Sequence, residues 1–287
     1  MKHLKILLAV LTSFTLASCE DVVQIKLDEG TPMITIDAFV NNLRTPQTIR
    51  LTYTDNYFSQ KPNTTISGAA VQIKDVTSGQ LFNFTDNSNG NYVFNLSSTD
   101  TIGKIGHQYE LSVTHQGNNY TSTSTMYRTA KIDTIVIEYK AAGAFGTKEG
   151  YDLYFLGQDP AGDVADFYWV KSYNNGVFYN KGININTAWD AANGPGADGL
   201  FFIPPIARGI LPRGDRLAKF DLFRVEIHSI SRQTYDFLNQ VQTQTTNSGL
   251  FATTPENVKT NITTTSATKV VGWFNMAAVD AKQIVVQ

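Results

Sequence analysis

Carboxylates offer the first chemical options in this chain. Asp159, Asp163 and Asp166 share a turn with Pro160 and Gly162, and short acidic side chains on a flexible turn suit a hard cation such as calcium. Their spacing misses the EF-hand pattern, so a solvated acidic turn is the favoured reading, and Asp190 with Asp198 is weighed the same way. Asp190 paired with Glu226 is the arrangement a glycan-active hydrolase would need as acid and base, with carboxyls about 5 to 9.5 Å apart in a cleft. The four histidines are His3, His107, His115 and His228. The last three sit in or beside strand patterns, where structural or surface roles outweigh zinc ligation, and no metal site is expected. The chain has no phosphate-binding glycine loop, no Gly-x-Ser-x-Gly elbow and no His-Glu-x-x-His pair, so no catalytic residue is expected either.

Aromatic rings are the next resource. Trp169, Phe178, Tyr179 and Trp189 could form a platform for a sugar or a partner, because rings stack well while their polar tips stay wet. Most are expected to pack in the core. Trp189 is the exception, since it falls in the long connection from Asn184 to Gly199, and long connections in compact domains are usually functional or mobile. Trp189, Asp190 and Tyr179 are therefore the candidate ligand or partner contacts.

Cys19 is the only cysteine, so an internal disulfide is impossible. It follows a positive start, Met1-Lys2-His3-Leu4-Lys5, and an apolar run from Ile6 to Leu16 that Thr12, Ser13 and Thr15 dilute. That run is too short to span a bilayer, which takes about 20 apolar residues, and fits an export signal. Leu16-Ala17-Ser18-Cys19 resembles the bacterial lipobox, in which the thiol is diacylated and the peptide cut before it. The expected cofactor is thus only a covalent lipid on Cys19, since two or three acyl chains anchor a protein where one, at about 0.8 kcal/mol per buried CH₂, does not. Glu20 and Asp21 directly after it look like an export signal toward the outer membrane, on its periplasmic or external face.

Cleavage before Cys19 leaves 269 residues (287 less 18), enough for one large or two ordinary domains. Charge is mild: the net −2 becomes about −4 once Lys2 and Lys5 are lost, and no basic stripe invites nucleic acid. Thr, Asn, Gly and aromatics, including 13 Tyr and 17 Phe, favour strands and turns over helices.

Alternation and turn signals place the elements. Strands are expected at Met33–Val40, Thr48–Thr54, Ala69–Asp75, Leu81–Phe84, Tyr92–Phe94, Tyr109–Thr114 and Tyr120–Thr125. About seven short strands in about 100 residues suit an immunoglobulin-like or transthyretin-like β-sandwich. The expected organisation is a signal over 1–18, a tether over 19–31, the sandwich over 32–127, and a β-rich domain over 132–287. In the second domain the longest strand is expected at Leu217–Ser229, and Lys269–Met276 and Gln283–Val286 are expected to close its sheet. One amphipathic helix is expected near 231–243, with Ser231 as its cap and Tyr235, Leu238 and Val241 on one face.

Several of these stretches together resemble one family. They are Cys19-Glu20-Asp21-Val22-Val23, Ile34-Thr35-Ile36-Asp37-Ala38, Ser67-Gly68-Ala69-Ala70-Val71-Gln72-Ile73-Lys74-Asp75, Gly90-Asn91-Tyr92 and Gly106-His107-Gln108-Tyr109-Glu110-Leu111. Ile132-Asp133, Thr254-Pro255-Glu256-Asn257-Val258, Asn261-Ile262 and Val271-Gly272-Trp273-Phe274 continue the pattern. In this order they resemble DUF4249, a family of Bacteroidota lipoproteins of uncharacterised function. The resemblance implies an envelope lipoprotein with an N-terminal sandwich, expected beside a TonB-dependent outer-membrane receptor, and supplies no catalytic residues. Asp100-Thr101-Ile102 and Asp133-Thr134-Ile135 also resemble the Asp-Thr-aliphatic O-glycosylation signal of exported Bacteroidota proteins. Thr101, in a turn, is the better candidate. The leading expectation is a non-enzymatic outer-membrane lipoprotein that binds a ligand or partner. The alternatives are the glycan-active hydrolase and a structural or adhesive surface protein.

Overall fold

The computed structural model describes residues 30–56, 59, 61–96, 101–143, 148–162, 164–247 and 258–287. Cys19, Glu20, Asp21, Asp163 and residues 254–257 lie outside them. The fold is mainly β, as expected. The first seven strands are β1 (Ile34–Asn41), β2 (Gln47–Tyr53), β3 (Ala70–Asp75), β4 (Leu81–Asp86), β5 (Asn91–Phe94), β6 (Gln108–His115) and β7 (Asn118–Thr125). Period-two alternation sends Ile34, Ile36, Ala38 and Val40 of β1 inward, with Val71 and Ile73 of β3 and Tyr109, Leu111 and Val113 of β6. Together they fill one core.

Beyond β7 come β8 (Lys131–Lys140), β9 (Gly150–Gln158), β10 (Phe167–Asn174), β11 (Val177–Phe178), β12 (Asn186–Trp189) and β13 (Leu222–Ile230). They are followed by α1 (Arg232–Thr246), β14 (Thr263–Thr264), β15 (Val270–Ala277) and β16 (Val279–Val285). Residues Pro32–Gln287 cluster as one compact unit. A second core gathers Leu153, Phe155, Tyr168, Val170, Phe223, Val225 and Ile227 among others.

Three elements depart from the expectations. The strand expected over Leu217–Ser229 begins only at Leu222 and is one residue shorter than β8, because Phe220 takes a positive φ of 74° that breaks extended backbone. The connection after Asn184 contains β12, which pairs with β10. Most consequentially, β15 does not close the second half's sheet. It runs parallel to β1 from Ile34↔Val270 to Asn41↔Ala277, at the end of a nine-stranded sheet ordered β14-β7-β6-β3-β4-β5-β2-β1-β15. Gly272 permits this: its φ is 110°, and a Cβ there would come within 2.0 Å of the Ile36 carbonyl oxygen.

The second sheet is β11-β10-β13-β16, with β12 also on β10, while β8 and β9 form a separate hairpin. Helix α1 starts where the sequence places it, with the Ser231 hydroxyl accepting from the Thr234 N–H at 3.0 Å, a cap worth about 1 kcal/mol. Leu238 is buried, and Phe237 stacks on Trp273 of β15 with centroids 4.3 Å apart. The Trp273 Nε1–H donates to the Thr234 hydroxyl at 2.9 Å, and that hydroxyl donates to Asn275 Oδ1 of β15 at 3.0 Å, so the helix is fastened to the first sheet by a ring contact and by polar contacts through Thr234.

Candidate ligand-binding cleft

The faces that β1 and β10 turn away from their own cores bound an open cleft of about 510 Å³, lined also by residues from 178–185, α1 and β15. Alternation dictates what reaches it. On β1 the even positions are spent on the core, which leaves Thr35, Asp37 and Phe39 outward. On β10, Tyr168 and Val170 face the second core, so Trp169, Lys171 and Tyr173 share the other face. Phe39 meets Trp169 edge-on at 5.1 Å, and Trp169 meets Phe178 at 6.1 Å. The volume lies in the usual range for small-molecule sites, about 300 to 1,000 Å³.

Charged groups sit among these rings. The Lys171 ammonium stands 3.9 Å from the Trp169 ring centroid, with Phe39 and Phe178 at 5.7 and 5.8 Å. Burial pushes its pKa down to about 8, against the pull of Glu226 and Asp37. Asp37 opens onto the cleft, where desolvation by the surrounding walls raises its pKa and the Lys171 and Arg50 charges only partly offset the rise.

Beside Lys171, register pairs Trp169 with His228, Lys171 with Glu226 and Tyr173 with Arg224. Glu226 accepts from Arg224 Nε at 2.7 Å, from the Tyr173 hydroxyl at 3.2 Å, and pairs with His228 Nε2 at 2.8 Å. Burial works against its charge, but the His228 and Arg224 contacts prevail and hold its pKa at about 2. Burial, aided by the Lys171 charge, lowers His228 to about 4, so its imidazole is neutral at neutral pH.

The residues singled out from sequence divide among three places. Tyr179, Phe178 and Trp169 line the cleft. Trp189 does not: it ends β12, stacks on Phe167 at 5.8 Å and carries the Arg232 guanidinium 4.9 Å from its ring. The expectation of a loop aromatic at this position fails because β12 draws the residue into the sheet. Asp190 is buried elsewhere, accepting from the Asp166 N–H at 2.8 Å. From Asp166, beside Asp190 and just before β10, to Lys171, beside Glu226, is five residues, or about 16 Å at the usual strand rise. Asp190 and Glu226 therefore do not converge as an acid and base pair.

Asp190 instead joins Asp159 and Asp198, each offering an oxygen within 4.8 Å of the others. Asp166 stands aside, its carboxylate taken by Arg128 Nε at 2.9 Å and Nη2 at 2.6 Å. Tyr168 donates to Asp159, Gly199 N–H donates to the other Asp159 oxygen, and Gly162 N–H donates to Asp198. Desolvation, with neighbouring carboxylates, raises Asp159 and Asp190. Three carboxylates could contribute to a hard-cation site, though such an ion takes about six to eight oxygens.

The remaining histidines are structural. His107 Nδ1 pairs with Asp75 at 2.8 Å, and His115 Nε2 with the Tyr53 hydroxyl at 3.0 Å. Thr101 is exposed and outside any strand, next to the buried Ile102, whereas Thr134 lies on β8. Asp37 and Lys171 were not among the sequence candidates; their only signal is a charge at an outward position of a strand that carries aromatic rings at neighbouring outward positions, Phe39 on β1 and Trp169 and Tyr173 on β10.

A family model described as a domain of unknown function, DUF4249, matches residues 20–283. No curated protein matches the chain. Among solved structures, the FN1–FN3 domains of chicken CNTN1 match at 11% identity and a TM-score of 0.22, over 71% of this chain and 64% of theirs. A bacterial ice-binding adhesin of 1.5 MDa matches at 12% identity and a TM-score of 0.18, over 91% of this chain and 66% of its own.

Proposed function

The chain belongs to the DUF4249 family, and we propose that it is an envelope lipoprotein of Bacteroidota type, held at the outer membrane by lipid on Cys19, that binds a ligand without transforming it. The observation that carries the binding reading is the aromatic cleft between the outward faces of β1 and β10. Large sheets normally spend such faces on solvent or on close packing. Here Phe39, Trp169 and Phe178 instead border open volume, with charged groups among them, which is the composition of a small-molecule site.

The anchoring reading is supported by Leu16-Ala17-Ser18-Cys19 and the apolar run before it, and by the fact that no described helix is long and apolar enough to cross a membrane. A tethered binding module that acquires a ligand needs somewhere to deliver it, and a TonB-dependent receptor is the proposed partner. Affinity capture of the tagged full-length protein from membranes tests this directly. The expected result is co-recovery of a β-barrel receptor, with a diacylated Cys19 at the processed N-terminus by mass spectrometry. Repeated capture without a barrel, or a free thiol at position 19, would remove the reading.

A further inference from the structure

Strand β12 leaves part of one backbone edge open. The Asp190 N–H donates to the Asp166 carbonyl at 2.8 Å. With Phe167 opposite Trp189, that bond makes Tyr168↔Ala188 and Val170↔Asn186 the hydrogen-bonded pairs of the β10–β12 ladder. The Thr187 N–H and carbonyl therefore point away from β10, and neither has a hydrogen-bond partner among the described residues. The positions on either side are taken: Gln242 Nε2 donates to the Ile185 carbonyl at 2.8 Å, and Asn193 Oδ1 accepts from the Trp189 N–H at 3.0 Å.

Thr187 lines a groove of about 530 Å³ that shares only Asn184 and Ile185 with the aromatic cleft. Helix α1 forms one wall, tied to β12 by the Thr187 hydroxyl, which donates to Asn239 Oδ1 at 3.1 Å. Residues from 205–213 form another, tied by Asn186 Nδ2 to the Ile206 and Gly209 carbonyls at 3.0 and 3.1 Å. Asn186 Oδ1, Gln242 Oε1 and the Asn184 side-chain amide make no hydrogen bond with a described residue. The lining carries two arginines and no carboxylate. Arg208 is held by Glu138 through two bonds of 3.2 Å, whereas Arg213 has no ion pair among the described residues, and Asp215 lines only the adjoining groove.

We propose that this groove docks an extended acidic peptide by adding it to the free edge of β12. One peptide residue exchanges both backbone hydrogen bonds with Thr187, as the next strand of a ladder would. Its neighbouring peptide groups reach the amides of Asn184, Asn186 and Gln242, and a carboxylate pairs with Arg213.

The test is affinity selection on the full-length protein from a pool of acetylated, amidated octapeptides, with glutamate fixed at the fourth position and the others randomised. A subset of the pool should be retained, and its tightest member should slow exchange of the Thr187 amide about tenfold or more while leaving β6 unchanged. Methylating alternate peptide nitrogens should abolish binding for one set and spare the other, because only every second N–H of a strand faces a given edge. Arg213→Gln, at an exposed position, should keep the melting temperature and bind the glutamate peptide about fivefold more weakly, the scale of an exposed ion pair. Its binding of the glutamine counterpart should not change. No retained peptide, an unaltered Thr187 amide in the bound protein, or equal loss from both methylated sets overturns edge docking, as does saturable binding of cellohexaose in place of any peptide. Equal weakening of the glutamate and glutamine peptides by Arg213→Gln overturns the acidic preference. The aromatic cleft is judged by its own experiment, since neither Thr187 nor Arg213 lines it.

Discussion

The side-chain amide of Asn261 brackets the peptide of Phe274: its Nδ2–H donates to the Phe274 carbonyl at 2.8 Å, and its Oδ1 accepts from the Phe274 N–H at 2.9 Å. Asn261 thereby imitates one residue of a further strand along the outer edge of β15. Thr260 adds a bond from its hydroxyl to the Gly272 carbonyl at 2.7 Å, and Ser122 of β7 donates to the Asn261 carbonyl at 2.8 Å. An edge that would otherwise present unpaired backbone groups is covered by side chains. Asn261→Ala removes both bonds, and a loss of about 1–3 kcal/mol is expected in denaturant unfolding. Asn261→Asp, which keeps the acceptor but sets a carboxylate oxygen against the Phe274 carbonyl, should cost at least as much.

Gly272→Ala should cost more. Any β-carbon at this position meets the Ile36 carbonyl oxygen at 2.0 Å, and the backbone is already in a region that disfavours side chains. The parallel pairing of β1 with β15 must open locally, so hydrogen exchange should rise at Ile36 and Ala38 before it rises on β6. Equal protection of both strands in the variant would contradict this.

Acid should weaken the protein through the Glu226 and His228 pair. Both folded-state values lie below the ordinary ones, so the native state prefers Glu226 ionised and His228 neutral. The His228 contribution is complete above its ordinary value of 6.5 and is lost as pH falls through about 4. The Glu226 contribution is complete above 4.5 and is lost as pH falls through about 2. The His228 part is at most about 3 kcal/mol. His228→Gln retains a donor for Glu226 and cannot be protonated, so its melting temperature should vary less between pH 6.5 and 4. An unchanged slope would place the acid sensitivity elsewhere.

Lys171→Met should stabilise the fold. The aromatic contacts of the ammonium return about 0.5–2 kcal/mol, less than the several kcal/mol that burying an ion costs. A rise in melting temperature at pH 7 is the expected outcome. A fall would show that Lys171 is retained for packing.

Much of this was legible in the chain. Ile34, Ile36, Ala38 and Val40 declare the buried face of β1 by alternation, and Ser231 marks the start of α1. Local pattern specifies which residues make a strand, but it says little about which strand lies alongside. Val270–Ala277 therefore reads equally well beside β13 or β1, and only the glycine at 272 hints at a close backbone neighbour. The cleft was half visible: Trp169, Phe178 and Tyr179 could be proposed as a platform because ring chemistry is evident in the residue type. Asp37 and Lys171 could not, since each is an ordinary outward charge until two distant strands face one another. Trp189 misled because β12 is four residues long and lies inside a stretch of loop-like composition.

Because β15 (Val270–Ala277) lies against β1 (Ile34–Asn41), the first sheet is incomplete until both of these widely separated segments are present. A contact of this sequence separation slows folding, and a fragment truncated after β7 would keep the apolar inner face of β1 while losing its lateral neighbour. Folding of the first sheet is thus tied to the presence of Val270–Ala277, and versions shortened before that strand should emerge as prey for proteases rather than as a working half.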